Sequence, residues 1–295
     1  IIGAFDNWDA AVKVYRTNFE NHPMVSLDLS QLEATERIKE LCEIAPDIIV
    51  GGPPCQDYSH AGKRNEELGR ADLTLSFAKI VSDIRPKMFL MENVDRILKS
   101  RRLPLVRELL KLSGYDISET VLDASYCGVP QKRLRFFMFG VLDRVDSSLF
   151  VEICNRNKSL SPMSVRDYLG ESLGIEHYYR HPRNYARRAV YSIDEPSPTI
   201  RGVNRPVPAG YPGHHADSIR VSNSLRPLTT IERSYIQTFP KTFVFEGCKS
   251  DLEQMIGNSI PINLASFVGK AIMEYSDSEP SSNRSRKANQ VCAFS

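Results

Sequence analysis

Cys55 is the side chain best placed for chemistry. It ends the run Val50-Gly51-Gly52-Pro53-Pro54-Cys55, where two prolines fix φ, remove two backbone donors and stiffen the turn. A thiolate is a strong nucleophile, and a stiff loop after a strand is where one would be useful. A buried structural cysteine on a tight turn is the competing reading of the same residue. Two further groups keep Cys55 company: Glu92 in Glu92-Asn93-Val94, and the guanidiniums of Arg133 and Arg135 in Gln131-Lys132-Arg133-Leu134-Arg135.

Each group follows or enters a short apolar run. Asp47-Ile48-Ile49-Val50 reads as a strand buried on both faces and delivers the cysteine loop. Lys87-Met88-Phe89-Leu90-Met91 delivers Glu92 to the same sheet edge, and Arg135 to Val141 is a third strand. Open α/β sheets bind ligands at the carboxyl ends of their strands. Between these strands lie helical stripes, Leu73, Phe77, Ile80, Val81 and Ile84 in one and Leu105, Val106, Leu109 and Leu110 in another. That alternation predicts an α/β fold, a doubly wound and mostly parallel sheet.

The chain has 295 residues, 41% hydrophobic and 25% charged, with a formal net charge of +2, which is ordinary globular composition. No apolar run approaches the ~20 residues that span a bilayer, and no signal-peptide pattern opens the chain, so a cytoplasmic protein with no membrane partner is expected. The six cysteines include no C-x-x-C pair, which argues against zinc and disulfides.

Pro-Cys-Gln at Pro54 to Gln56, Glu-Asn-Val at Glu92 to Val94 and Gln-x-Arg-x-Arg at Gln131 to Arg135, in that order, resemble the DNA cytosine-5 methyltransferase family. The resemblance implies a Rossmann-like methyltransferase domain, S-adenosyl-L-methionine as cofactor and double-stranded DNA as partner. It implies Cys55, Glu92, Arg133 and Arg135 as catalytic residues. For the cofactor it implies Asp6, Asn7, Asp28, Leu29, Pro53, Asn258 and Ser259; for DNA, Gln56, Ser59, Lys63, Arg64, Gln131, Thr199, Arg201 and Arg205. No metal is implied. Read without the family, Asp6 is equally an N-cap and Asp28 a solvated loop residue. Two rivals keep the same residues: a methyltransferase acting on tRNA, and a non-catalytic DNA-binding homologue.

After about Val145 the strand and helix rhythm stops. Arg180, Arg183, Arg187, Arg188, Arg201 and Arg205 are interleaved with Tyr178, Tyr179, Tyr185 and Tyr191, which suits phosphate contacts and base readout or, more plainly, a solvated basic surface. Pro198-Thr199-Ile200 within it resembles the short Thr-containing match of the family's target recognition region. The expected organisation is a catalytic domain over 1–145, a target recognition domain over 146–250, a returning segment over 251–275 and a disordered tail over 276–295. Thr229 and Glu232 form a capping-box pattern opening a helix.

The family begins with a strand and a Phe-x-Gly-x-Gly loop that cradles the cofactor's methionine. This chain opens on the family's second strand and contains no Gly-x-Gly. The first strand is trimmed, carried on another polypeptide or lost; a permuted order is not expected, because the tail has no Gly-x-Gly either. The missing strand should lie between those ending at Asp6 and Val50, supplied by polypeptide before Ile1 or by a partner subunit. Residues 1–295 alone are then expected to bind the cofactor poorly. Otherwise a monomer is expected, nucleoid-associated if bacterial, with a cognate restriction endonuclease as a further partner.

Overall fold

The computed structural model describes residues 1–31, 33–42, 44–54, 73–143, 146–222, 224–278 and, for the backbone alone, 291–294. Its strands are β1 (Gly3–Asp6), β2 (Met24–Ser26), β3 (Ile48–Gly51), β4 (Met88–Val94), β5 (Tyr115–Asp123), β6 (Gln131–Lys132), β7 (Leu134–Leu142), β8 (His177–Tyr179), β9 (Val190–Ser192), β10 (Ser197–Pro198) and β11 (Val291–Phe294). The helices are α1 (Asp9–Asn18), α2 (Ala34–Leu41), α3 (Leu73–Ile84), α4 (Leu103–Leu112), α5 (Ser148–Arg156), α6 (Val165–Leu169), α7 (Thr230–Ile236), α8 (Lys249–Asn258) and α9 (Ile262–Asp277). Among the described residues no helix is long and apolar enough to cross a membrane.

The chain divides into two compact units. The first comprises Ile1–Leu122, Leu134–Arg156 and Ala271–Ser295, the second Asp123–Arg133 and Asn157–Lys270. These bounds differ from the expected ones in three places. Asp123–Arg133, expected in the catalytic domain, belongs with the second unit. The helix α5 belongs with the first unit, and α8, expected in a segment returning to the catalytic domain, belongs with the second.

In the first unit a seven-stranded sheet has the order β2-β1-β11-β3-β4-β7-β5. Neighbours from β2 to β4 run parallel, and β7 is antiparallel to β4. The apolar runs that predicted buried strands supply the core: Phe5, Ile49, Phe89, Met91, Phe136 and Met138 pack with Phe77, Ile80 and Val81 of α3 and Val106 and Leu110 of α4. Such near-continuous hydrophobic strands are what a sheet covered by helices requires.

The tail corrects two expectations. Residues 276 and 277 continue α9 rather than fraying, and Val291–Phe294 is a strand. It lies in the lane expected to need outside polypeptide: Gly3, Ala4 and Phe5 pair with Cys292, Ala293 and Phe294 on one side, and Ile48 to Gly51 pair with Val291 to Phe294 on the other. Empty, that lane would leave facing rows of buried donors and acceptors, a cost a folded sheet does not bear.

The second unit holds two small sheets, β6 parallel to β10 and β8 antiparallel to β9. Val165, Tyr178, Ile193, Ile200, Leu228, Ile236 and Ile256 form its main core. The Thr229 hydroxyl accepts from Glu232 N and the Glu232 carboxylate accepts from Thr229 N, the capping box expected for α7.

Candidate active site

In the first unit the candidate chemistry gathers where β3 and β4 end and the antiparallel β7 begins. Asn93 is buried, and its Nδ2 donates to Pro53 O at 3.0 Å, tying the end of β4 to the proline turn. Glu92 and Arg135 are diagonal neighbours across the antiparallel pair, since Glu92 faces Phe137 and Val94 faces Arg135. Arg135 Nε lies 2.7 Å from Glu92 Oε1, and the two side chains are 11% and 12% exposed. Burial lowers the Arg135 pKa, while the carboxylates of Glu92 and Asp95 oppose the shift. Arg135 also donates to Leu134 O at 2.8 Å, so its plane is fixed from two sides.

Gly52 explains the double glycine. A Cβ there would sit 3.1 Å from Glu92 Oε2, so a side chain would press on the carboxylate. Glycine lets the turn pass against Glu92. Cys55, Gln56, Ser59, Lys63 and Arg64 lie outside the described residues.

The expected nucleoside contacts lie on the same unit. Asp6 closes β1, and its Oδ1 accepts from Trp8 N at 2.7 Å. This is a local Asx turn and not a helix cap, because α1 is capped at Trp8 without a side-chain bond. Asp28 follows β2, and Leu27 N donates to Asp6 O at 3.0 Å, which holds the two loops together. Hydrogen bonds from Ser30 keep the Asp28 carboxyl below its ordinary range, hence ionised. Asn7 is exposed beside them, and Leu29 packs on the core.

The second unit takes two expected site residues, Arg133 and Gln131, into its interior. Arg133, expected as a cation beside Cys55, is 1% exposed: its Nη1 donates to Ile200 O at 2.9 Å and its Nη2 to Gly257 O and Ser259 O at 2.9 and 3.1 Å. Two residues apart, Arg133 and Arg135 share a face of an extended chain, yet the boundary between units falls between them. Gln131, expected to touch DNA, is fully buried; it accepts from Ile200 N at 2.8 Å and donates to Gln237 Oε1 at 2.6 Å, so it cross-links the interior. The Ser259 hydroxyl, expected at the cofactor, donates to Ile256 O at 3.0 Å, and Asn258 accepts from Gln254 at 2.9 Å. Thr199 donates to Lys132 O at 2.9 Å, Arg201 to His181 O at 2.5 Å, and Arg205 is exposed.

The basic and aromatic stretch also divides. Tyr178 and Tyr179 are core residues, and Arg188 is paired with Glu195 and lies over Tyr191 at 4.2 Å. Arg183, Tyr185 and Arg187 remain exposed.

The family model for C-5 cytosine-specific DNA methylases matches residues 1–274. The chain belongs to that family. A type II methyltransferase of Haemophilus influenzae, M.HindV, is 55% identical over 95% of this chain and 91% of its own length. M.HgiDI of Herpetosiphon aurantiacus is 50% identical over 93% of this chain and 87% of its length. Among solved structures, a DNA modification methyltransferase encoded within an E. coli prophage superposes with a TM-score of 0.67 at 20% identity, covering 94% of this chain and 93% of that one. A DNMT2 variant of Spodoptera frugiperda gives 0.63 at 19% identity, with 92% of each chain covered.

A C-5 cytosine methylase uses S-adenosylmethionine, and the first unit suits its nucleoside. Asp6 closes β1 and Asp28 follows the neighbouring parallel strand β2; both are acceptors, which ribose hydroxyls and an adenine amino group need. Sequence reasoning missed four residues that hold others in place, Asn93, Gln237, Arg180 and Arg233, having read Arg180 only as part of the basic stretch. Asn93 stands inside a motif that had been noted, but no spacing signals the other three, each of which reaches a backbone carbonyl distant in sequence.

Proposed function

We propose that this methylase transfers a methyl group from S-adenosylmethionine to C5 of a flipped-out cytosine in a specific duplex sequence, through a covalent bond between the Cys55 sulfur and C6. The observation that carries the reading is the buried Glu92–Arg135 pair beside the turn that leads to Cys55. C5 is a poor nucleophile until a thiolate adds to C6 and turns the ring into an enamine. With the base in place Glu92 takes up a proton in the largely desolvated pocket, donates it in a hydrogen bond to N3 and so steadies the negative charge that develops there, while Arg135 holds O2. Arg135 is the cation assigned to the Cys55 thiolate, because Arg133 is spent on carbonyls. Bound S-adenosylmethionine supplies an electrophilic methyl group; Asp6 would hold its ribose and Asp28 its adenine, with Asn7, Leu29 and Pro53 alongside. Loss of the C5 proton and expulsion of Cys55 then restore the ring. A stacked duplex hides the base, so flipping precedes addition at a cost of a few kcal/mol.

The type II names of the relatives support a role in restriction-modification, with a cognate endonuclease acting on the same sequence. Gln56, Ser59, Lys63 and Arg64 are assigned to phosphates near the flipped base. Duplex DNA carrying 5-fluorocytosine tests the chemistry, because fluorine cannot leave as a proton does. With S-adenosylmethionine, the protein should form a stable adduct that peptide mapping finds on Cys55. An adduct that persists in Cys55→Ser, or that maps to Cys127, overturns the assignment; an adduct with RNA but not DNA moves it to the tRNA reading.

A further inference from the structure

Thr199, Ile200 and Arg201 lie just beyond β10, where no ladder holds their backbone. Each of their carbonyls is instead held by a guanidinium from elsewhere in the second unit. Thr199 O accepts from Arg180 Nη2 at 2.9 Å, Ile200 O from Arg133 Nη1 at 2.9 Å, and Arg201 O from Arg233 Nη2. Ile200 N donates to Gln131 Oε1 at 2.8 Å. The next residue is confined by shape: a Cβ on Gly257 would lie 2.2 Å from Gly202 N, so α8 presses its backbone on this segment and needs glycine to do it.

This is a costly way to hold a loop. Backbone amides could satisfy those carbonyls without burying charge, and a guanidinium loses much hydration when covered. What an arginine adds is a planar fork that fixes direction, and a charge that a carbonyl does not neutralise. Arg233 has a carboxylate partner in Glu253. Arg180 and Arg201 instead end on the carbonyls of Thr199 and His181. Burial first, and then neighbouring arginines, pull Arg201 and Arg233 down to about 10, so both stay cationic at neutral pH. The same cluster, with Arg205, pushes His181 below its ordinary value after burial. Positive potential therefore concentrates on the segment whose backbone is most tightly fixed.

We propose that Arg133, Arg180 and Arg233 are positioning residues for sequence discrimination: they clamp three successive carbonyls so that Arg201 meets DNA in one orientation, and Arg180 adds charge that draws the phosphates. The proposal rests on the function proposed above.

The test uses the full chain with Arg180→Lys and Arg180→Met. Bisulfite sequencing of methylated plasmid DNA gives the wild-type recognition sequence and the ratio of methylation there to that at sites with one mismatch. Arg180→Lys keeps the charge and loses the fork. The ratio should fall on the order of ten-fold, the scale of one misplaced base contact, while the slope of log affinity against log salt, read by anisotropy on a labelled duplex, stays as in wild type. Arg180→Met should lose discrimination and also flatten the salt slope by up to about 0.9, one phosphate equivalent. In an Arg201→Ala background Arg180→Lys should change discrimination little, because the residue it positions is gone. Wild-type discrimination in both Arg180 variants, or additive losses with Arg201→Ala, overturns the clamp and leaves the methylase reading standing. If Arg180→Met does not fold, the Arg180→Lys and Arg201→Ala arms decide alone. A wild-type chain that neither binds nor methylates DNA overturns both readings.

Discussion

Replacing Arg135 by Met removes one member of a pair whose side chains are 11% and 12% exposed and whose Nε and Oε1 atoms are 2.7 Å apart. With so little solvent around it, the remaining Glu92 charge has almost no water to turn to, and breaking a buried pair from one side costs about 3–5 kcal/mol. In a protein of this size each kcal/mol shifts the melting temperature by ~2–4 °C, so Arg135→Met should melt roughly 6–20 °C below wild type. Substituting both residues, Glu92→Leu with Arg135→Met, removes both buried charges and should bring stability back to within about 1–2 kcal/mol of wild type. Activity should not return with it. Glu92→Gln, which keeps the shape but weakens stabilisation of the developing charge, should lower the single-turnover methylation rate by about 10²–10³-fold. Thermal melts of all four proteins and rapid-quench methyl transfer on duplex DNA separate the two effects. A double variant that melts below both single variants would show the pair to be net stabilising and refute the energetic argument. One that still methylates DNA would remove the pair from the chemistry.

The remaining thiol near the motifs should be inert. Burial pushes Cys127 from its ordinary 9.0 to about 12, so iodoacetamide at pH 8 should label the exposed Cys248 and leave Cys127 untouched until the protein is denatured. A folded-state value raised above the unfolded one favours the neutral thiol in the fold; that contribution is complete below pH 9.0 and is lost as pH climbs toward about 12, at about 1.4 kcal/mol per unit. The alkaline fall in stability should be correspondingly shallower in Cys127→Ala, and equal slopes would contradict the burial argument. Ala293→Pro takes a donor out of the strand between β1 and β3, so amide exchange at Ile48–Gly51 and Gly3–Phe5 should quicken together. Unchanged protection there would mean that β11 does not hold the sheet in solution.

The parts legible in the sequence were those in which local pattern and final environment agree. The β-branched run before Gly51, the apolar run before Glu92 and the Thr229 box each carry their own signal, and each appears where the pattern put it. The interior position of Arg133 was not legible because two-residue spacing describes a strand's faces and says nothing about where one folded unit ends and the next begins. The burial of Gln131 was not legible because an amide looks the same whether it faces solvent or cross-links a core; its partners are Ile200 and Gln237, far along the chain. Val291–Phe294 is four residues after a polar stretch, too short to declare itself, and its state is set by the strands on either side.

That strand gives the protein a problem of timing. A ribosome releases β1 to β4 long before Val291–Phe294, so the nascent sheet has two open edges facing an empty central lane throughout elongation. Exposed edges of this kind recruit any extended peptide within reach. Neighbouring nascent chains on one messenger are the nearest source, and a tail captured by the wrong copy would pair in the same register as its own. Slow translation or crowded polysomes should therefore raise the yield of tail-exchanged dimers, and chaperones that cover bare edges should lower it.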